Sequence, residues 1–136
     1  MSKIQLCPYV NFQGSAREAM EFYRKALGGK LILQTVGEQG VTRPAGPEDS
    51  ISYARLEADG VLITGGDGHP SYPSIVGENM ALALAGTDKD HLTKIFFDLA
   101  EGGKVKMPPT AQPSGSIVGW FVDKFGINWM VSIDKE

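Results

Sequence analysis

An apolar helix stripe that ends in Gly-Gly-Lys occurs twice in this chain, 74 residues apart, and it limits the fold to something built from two like units. In the first copy Ala16, Ala19, Met20, Tyr23, Ala26 and Leu27 fall at the spacing of one helix face, and Gly28-Gly29-Lys30 follows. In the second, Leu92, Ile95, Phe96 and Leu99 make the stripe and Gly102-Gly103-Lys104 ends it. Phe22 and Phe96 keep the same separation inside the helices. Glycine accepts the left-handed conformation that residues with a side chain resist, so each pair reads as a helix stop. The first helix is expected to begin at Ser15, with Glu18 completing a capping box, and the second at Thr87, with Asp90 three residues in.

Extended apolar segments precede both helices, Ile4 to Phe12 and Met80 to Ala85. After the first helix come strand-like stretches at Lys30–Val36, Ile51–Glu57 and Val61–Thr64, the last two joined by a tight turn at Ala58, Asp59 and Gly60. After the second come Lys104–Met107, Ser116–Val122 and Ile127–Ile133, with Lys124, Phe125 and Gly126 around the last turn. The Pro- and Gly-rich stretches Gly37–Ser50, Gly65–Asn79 and Pro108–Gly115 read as loops, and the middle one holds the junction. Each copy therefore reads strand, helix, strand, strand, strand. The expectation is an α+β fold: one domain over residues 1–136, made of two tandem βαβββ modules, about 1–68 and about 78–136. One helix per module covers one sheet face, so the curved mixed sheet is expected to enclose a cavity on the other.

Composition narrows the function classes. Lys and Arg total 13 against 16 for Asp and Glu, a formal net charge of −3, and no basic cluster exceeds two residues. Nucleic acid and anionic membrane are therefore poor partners. Cys7 is the single cysteine, so neither an intrachain disulfide nor a multi-cysteine zinc site can form, which suits a reducing compartment. The run Met1-Ser2-Lys3-Ile4-Gln5 has no signal-peptide core, and no apolar stretch approaches the ~20 residues that span a bilayer. A soluble, cytoplasmic protein is the expectation.

Residues able to do chemistry are few. His69 sits in Gly65-Gly66-Asp67-Gly68-His69-Pro70, just past a strand end, where a loop at a cavity mouth can aim it inward; a solvated loop histidine is the competing reading. His91, in the first turn of the second helix, reads as solvent-facing. Alternation puts Cys7 and Tyr9 on one side of the first strand, and Trp120 with Val118 and Val122 on one side of a later one. A small buried role is the default for Cys7. The glycines at 65–68 match neither G-x-G-x-x-G opening a helix nor a Walker loop, since Pro70 and Pro73 follow. Trp120, Phe121, Phe125 and Trp129 read mainly as core, with one or two facing the cavity.

Pro8-Tyr9-Val10-Asn11-Phe12 with Gly14, Glu18-Ala19-Met20-Glu21-Phe22-Tyr23 and Leu27-Gly28-Gly29 resemble the first half of PhnB-like proteins. Phe97-Asp98-Leu99-Ala100-Glu101-Gly102-Gly103-Lys104-Val105-Lys106-Met107-Pro108 and Asp123-Lys124-Phe125-Gly126-Ile127-Asn128-Trp129-Met130-Val131 are similar to the second. That family lies in the vicinal oxygen chelate superfamily, with glyoxalase I, extradiol dioxygenases and the fosfomycin and bleomycin resistance proteins. The resemblance implies paired βαβββ modules and a homodimer. Metal-using members of the superfamily carry His, Gln or Glu on the first and last strands of the modules. Here the first-strand position falls on Cys7 or Pro8, depending on register, its second-module partner on Asn79 or Met80, and the last-strand position on Met130. Thioether and proline do not replace hard or borderline ligands. Where relatives often carry Thr-Phe-Trp-Ala, this chain has Gln112-Pro113-Ser114-Gly115. No glycine-rich motif for S-adenosylmethionine follows a strand and opens a helix.

The expected function is binding of a small organic molecule in a concave cavity, without the classical divalent metal and with no cofactor. The pocket is expected to be lined by Cys7, Tyr9, Trp120 and Met130, with Asp67 and His69 at its mouth as the acid–base groups. An enzyme of the glyoxalase or dioxygenase kind with an unconventional site is a second reading, and an accessory protein with a vestigial pocket a third.

Overall fold

The computed structural model describes residues 4–136, and the chain divides into two compact units between Ile75 and Val76. The first unit runs β1 (Tyr9–Asn11), α1 (Ala16–Leu27), β2 (Lys30–Val36), β3 (Thr42–Pro44), β4 (Tyr53–Ala58) and β5 (Val61–Gly66). Its strands form one sheet in the order β1-β5-β4-β2-β3, with β1 parallel to β5 and the other pairs antiparallel. The second unit runs β6 (Leu82–Gly86), α2 (Lys89–Ala100), β7 (Lys104–Ala111), β8 (Ile117–Val122) and β9 (Asn128–Ile133), in the order β6-β9-β8-β7 with β6 parallel to β9. Apart from β3, the two sheets have the same order and directions. This is the pair of tandem βαβββ modules of an α+β fold, and the strands pair within each module to give two mixed sheets.

The glycine pairs do the same two jobs in each unit. Gly28 and Gly102 take φ of +76° and +79°, the left-handed region that ends a helix. The next glycine lets the chain drop straight into the sheet. A Cβ on Gly29 would run into the Glu57 carbonyl and Ala58, and one on Gly103 into the Val122 carbonyl and Asp123. Lys30 then pairs with Glu57, and Lys104 with Val122.

Alternation along the strands sends one face of each sheet to its helix. In the first unit Ala54, Leu56 and Ile63 are buried along with Ala16, Ala19, Met20 and Tyr23 of α1; the Phe12 and Tyr23 ring centroids lie 6.0 Å apart. In the second, Phe121, Trp129, Val131 and Ile133 are buried with Leu92, Ile95, Phe96 and Leu99 of α2. Phe96 meets Phe121 edge-on at 4.7 Å, an arrangement the ring quadrupoles favour. Asp123 is buried too, accepting from the Trp129 Nε1–H at 2.9 Å and from the Phe125 and Ile127 amides.

Several local expectations are corrected. The first strand is confined to Tyr9–Asn11, so Cys7 precedes it. The stretch Gly37–Ser50 contains β3, and β7 continues through Pro108 and Pro109 to Ala111. Prolines fit there because β7 is the edge strand of its sheet. Asp88, not Thr87, caps α2, accepting from the His91 amide at 3.1 Å.

The two glycine roles separate by mutation. Around the missing Cβ of Gly28 there is open space, so Gly28→Ala is expected to cost only the left-handed backbone, roughly 1–2 kcal/mol. Gly29→Ala adds a forced displacement of β4 worth about 1–3 kcal/mol more. Urea unfolding of both variants checks this; equal losses would contradict the close-approach role.

Candidate functional site

The first unit carries a cleft of about 730 Å³ where the start of α1 meets the loops before β4 and after β5. Arg17 and Glu18 come from α1, Glu48 and Asp49 from the loop before β4, and Asp67 and His69 from the loop after β5. Pro70 and Pro73 give it apolar surface, and the buried Ile51 also borders it.

Asp67 builds this place. Its Oδ1 accepts from the Ala16 amide at 2.9 Å and its Oδ2 from the Ile51 amide at 2.7 Å, while its own N–H donates to the Ile51 carbonyl at 2.8 Å. It supplies the carboxylate cap that α1 lacks locally, because Ser15 makes no capping bond and instead donates from Oγ to the Phe12 carbonyl. The predicted Ser15–Glu18 capping box is therefore absent. A carboxylate carrying two charge-assisted bonds to backbone has a structural task here.

The other walls are tied down as well. Arg17 Nη2 donates to the Gly46 carbonyl at 2.5 Å and the Asp49 carbonyl at 3.1 Å. The Gly46 amide, and after it the Arg43 guanidinium, hold the Asp49 carboxyl below the usual carboxylate range. The loop anchoring that Asp49 gives is thus present above the ordinary carboxylate value and lost as pH falls through the lowered one. Asn11 accepts from the Gln13 amide and donates to Ser74 Oγ at 2.7 Å, linking β1 to the far wall.

His69 is exposed at the cleft. Its Nδ1 accepts from the Ser71 amide at 3.0 Å, so in the neutral ring the proton sits on Nε2. The ring lies 5.6 Å from that of Tyr72.

The remaining expected site residues lie outside the cleft. Cys7 is half-buried ahead of β1. Across the sheet face away from α1 run Ile32, Arg55, Thr64 and Tyr9 in register, and across the corresponding face in the second unit run Met107, Trp120, Met130 and Ala83. Tyr9 is 57% exposed, Trp120 38% and Met130 39%, so the faces are open at these side chains, while Thr64 is buried. Hydrogen bonding by the Tyr53 side chain, then by Glu57, holds Arg55 above the ordinary guanidinium value; Lys106 Nζ stands 5.2 Å from the Trp120 ring centroid. The shared register makes Tyr9 equivalent to Ala83 and Thr64 to Met130. Cys7 and Pro8 then correspond to Ala81 and Leu82, which corrects the expected Asn79 or Met80. Asp67 and His69 meet in one cleft, and Trp120 and Met130 form a cross-strand pair. Sequence reading missed Arg17 and Asp49, whose roles rest on loop closure that leaves no periodic signal.

Comparisons place this geometry. Protein PA1353 from Pseudomonas aeruginosa superposes with a TM-score of 0.83 at 33% identity, covering 98% of this chain and 100% of that one. The PhnB protein from Bacillus cereus gives 0.74 at 22%, covering 96% and 99%. A glyoxalase/bleomycin resistance protein/dioxygenase family enzyme from Burkholderia phytofirmans PsJN gives 0.62 at 17%, covering 92% and 95%, a likeness of fold. The class is thus the vicinal oxygen chelate fold. Within it, residues 4–132 match the family model described as 3-demethylubiquinone-9 3-methyltransferase, and the chain belongs to this PhnB-like family.

Neither group implied by those names fits the residues present. The open-face positions carry Tyr9, Thr64, Ala83 and Met130, with no imidazole or carboxylate, and among the described residues no group of three or more His, Cys, Asp or Glu could hold a metal ion. For S-adenosylmethionine, Gly65 and Gly66 end β5 rather than opening a helix, and the first amide of α1 is taken by Asp67.

Asp67→Asn keeps the shape but puts an amide NH₂ against one of two backbone N–H donors. It is expected to cost about 2–3 kcal/mol and to speed hydrogen exchange at the Ala16 and Ile51 amides. Unchanged urea midpoint and exchange would refute the capping role.

Proposed function

We propose that this PhnB-like protein binds a small organic molecule in the cleft of its first unit, without the classical divalent metal or another cofactor. The cleft carries the reading. At about 730 Å³ it lies within the ~300–1,000 Å³ of small-molecule sites. Its walls are fixed by the bonds of Asp67, Arg17 and Asp49, so little ordering remains to be done on binding. Pro70 and Pro73 suit an apolar body, while Glu18, Glu48 and His69 Nε2 suit polar groups at its edge.

An enzyme is the second reading, favoured by the fixed tautomer of His69, which presents Nε2 as a proton donor beside the cleft. No helix among the described residues is long and apolar enough to cross a membrane, and a cytoplasmic location is proposed with the function. We further propose a homodimer, in which a second copy covers Leu6 and Ile75 of the first unit, exposed at 99% and 97%.

A fragment screen by amide-resolved NMR is expected to give hits that shift Gln13, Gly14, Ser50 and Gly68 together; hits confined elsewhere would sink the cleft reading. His69→Ala separates binding from catalysis. As a binding residue it should weaken a cleft hit no more than about tenfold, one hydrogen bond's worth, whereas a ~10²-fold loss of some turnover would establish the enzyme. Light scattering at micromolar concentration is expected to give twice the chain mass, reduced to the chain mass by Leu6→Lys with Ile75→Lys. A monomeric wild type would refute the dimer.

A further inference from the structure

The far wall of the cleft is a short strap. Gly68, His69, Pro70, Pro73 and Ser74 line the cleft from this side. Both ends of the strap are tied to the first unit: Asp67 accepts from the Ala16 and Ile51 amides, and Ser74 Oγ accepts from Asn11 Nδ2 at 2.7 Å. Between those ties the chain makes one turn. The Tyr72 amide donates to the His69 carbonyl at 2.9 Å, and the Ser71 amide to His69 Nδ1 at 3.0 Å.

Pro70 takes the second place of this turn, where its fixed φ is suited, and His69 the first. Aspartate and asparagine are the usual residues at that first place, because a side-chain oxygen there accepts from the amide two residues on. His69 Nδ1 does the same job, with one difference: a proton removes it. Both nitrogens of an imidazolium are donors, so a protonated Nδ1 faces the Ser71 N–H donor to donor and the bond is lost. Histidine changes charge between pH 5 and 8. Closure needs the unprotonated ring, so it is favoured at the alkaline end of that window and lost towards acid. The cleft that the ring borders carries Arg17 and Glu18 from α1, Glu48 and Asp49 from the loop before β4, and Asp67 from the strap's own loop, with the Tyr72 ring 5.6 Å away. A proton arriving on His69 is met mainly by negative charge.

We propose that His69 is a pH-operated latch on this strap. Unprotonated, it holds the turn 69–72 and keeps the far wall of the cleft in place; protonated, it releases Ser71 and lets the wall move between its two tied ends. The consequence for a ligand rests on the cleft being the binding site, as proposed above, whereas the latch itself does not.

Asparagine at this position offers an acceptor as far from Cβ as Nδ1 is, and it does not titrate, while alanine offers none. In NMR spectra of the free full chain at pH 5, the Ser71 amide is expected to exchange with water roughly three- to tenfold faster in the wild type than in His69→Asn, the worth of one hydrogen bond. At pH 8 the two should agree, and His69→Ala should exchange fast at both. The cleft carboxylates are common to all three proteins, so their titration cancels. An uncharged fragment bound in the cleft is expected to lose roughly three- to tenfold in affinity from pH 8 to pH 5 in the wild type and to keep its affinity in His69→Asn. Nε2 carries its proton in both charge states of the ring, so that loss reports the wall and not a missing donor. Equal Ser71 exchange in the wild type and His69→Asn at pH 5 overturns the latch, as does a fragment affinity that falls equally in both. An exchange difference with no fragment bound in the cleft supports the latch and removes the cleft as the binding site.

Discussion

Both units depend on a close approach that only glycine allows. Where each helix ends, Gly29 and Gly103 lie so near the backbone of β4 and β8 that a Cβ would overlap it. That contact lets the chain pass from helix to sheet without a connecting loop, pairs Lys30 with Glu57 and Lys104 with Val122, and so fixes which side chains face the helix. Leu56 and Phe121 go inward, Arg55 and Trp120 outward. The period-two alternation of a strand does the rest: one face is sealed and the other stays open.

The units diverge in how their helices begin. α2 is capped by Asp88, one residue before it, and asks nothing of distant loops. α1 takes its cap from Asp67, beyond the end of β5, and the same carboxylate also holds the Ile51 amide. Borrowing the cap draws the loop after β5 and the loop before β4 to one end of α1, and the cleft is the space they enclose. In the second unit the corresponding investment is in Asp123, which ties the β8–β9 turn to Trp129 and leaves Trp120 and Met130 outward on a bare face. Duplication supplied the frame, and two carboxylates at different places gave the halves different surfaces.

Much of the frame was legible because it is written in local patterns. The helix stripes, the glycine pairs and the bounds of β2 come directly from spacing, and the equivalence of Gly28-Gly29 with Gly102-Gly103 is geometric as well as textual. What was illegible depends on contacts distant in sequence. Ser15 has a good capping side chain, but a carboxylate competes better for the first amide, and nothing near Ser15 reveals that Asp67 arrives there. Prolines 108 and 109 argued for a loop because their tolerance on an edge strand shows only once the strand order is known. Asp67 and His69 border the cleft of the first unit, whereas Tyr9, Trp120 and Met130 stand on open sheet faces and Cys7 ahead of β1, since alternation assigns a face and does not say what lies across it.

Native mass spectrometry of the full chain, purified at low ionic strength without chelators, tests most directly whether the Asp67-built cleft is a ligand site. The expected spectrum holds a species heavier than the chain by the mass of a small organic molecule, released by mild activation and absent from Asp67→Asn. A spectrum with the same bound mass in both proteins, or with none in either after exposure to a cell's extracted metabolites, would contradict it.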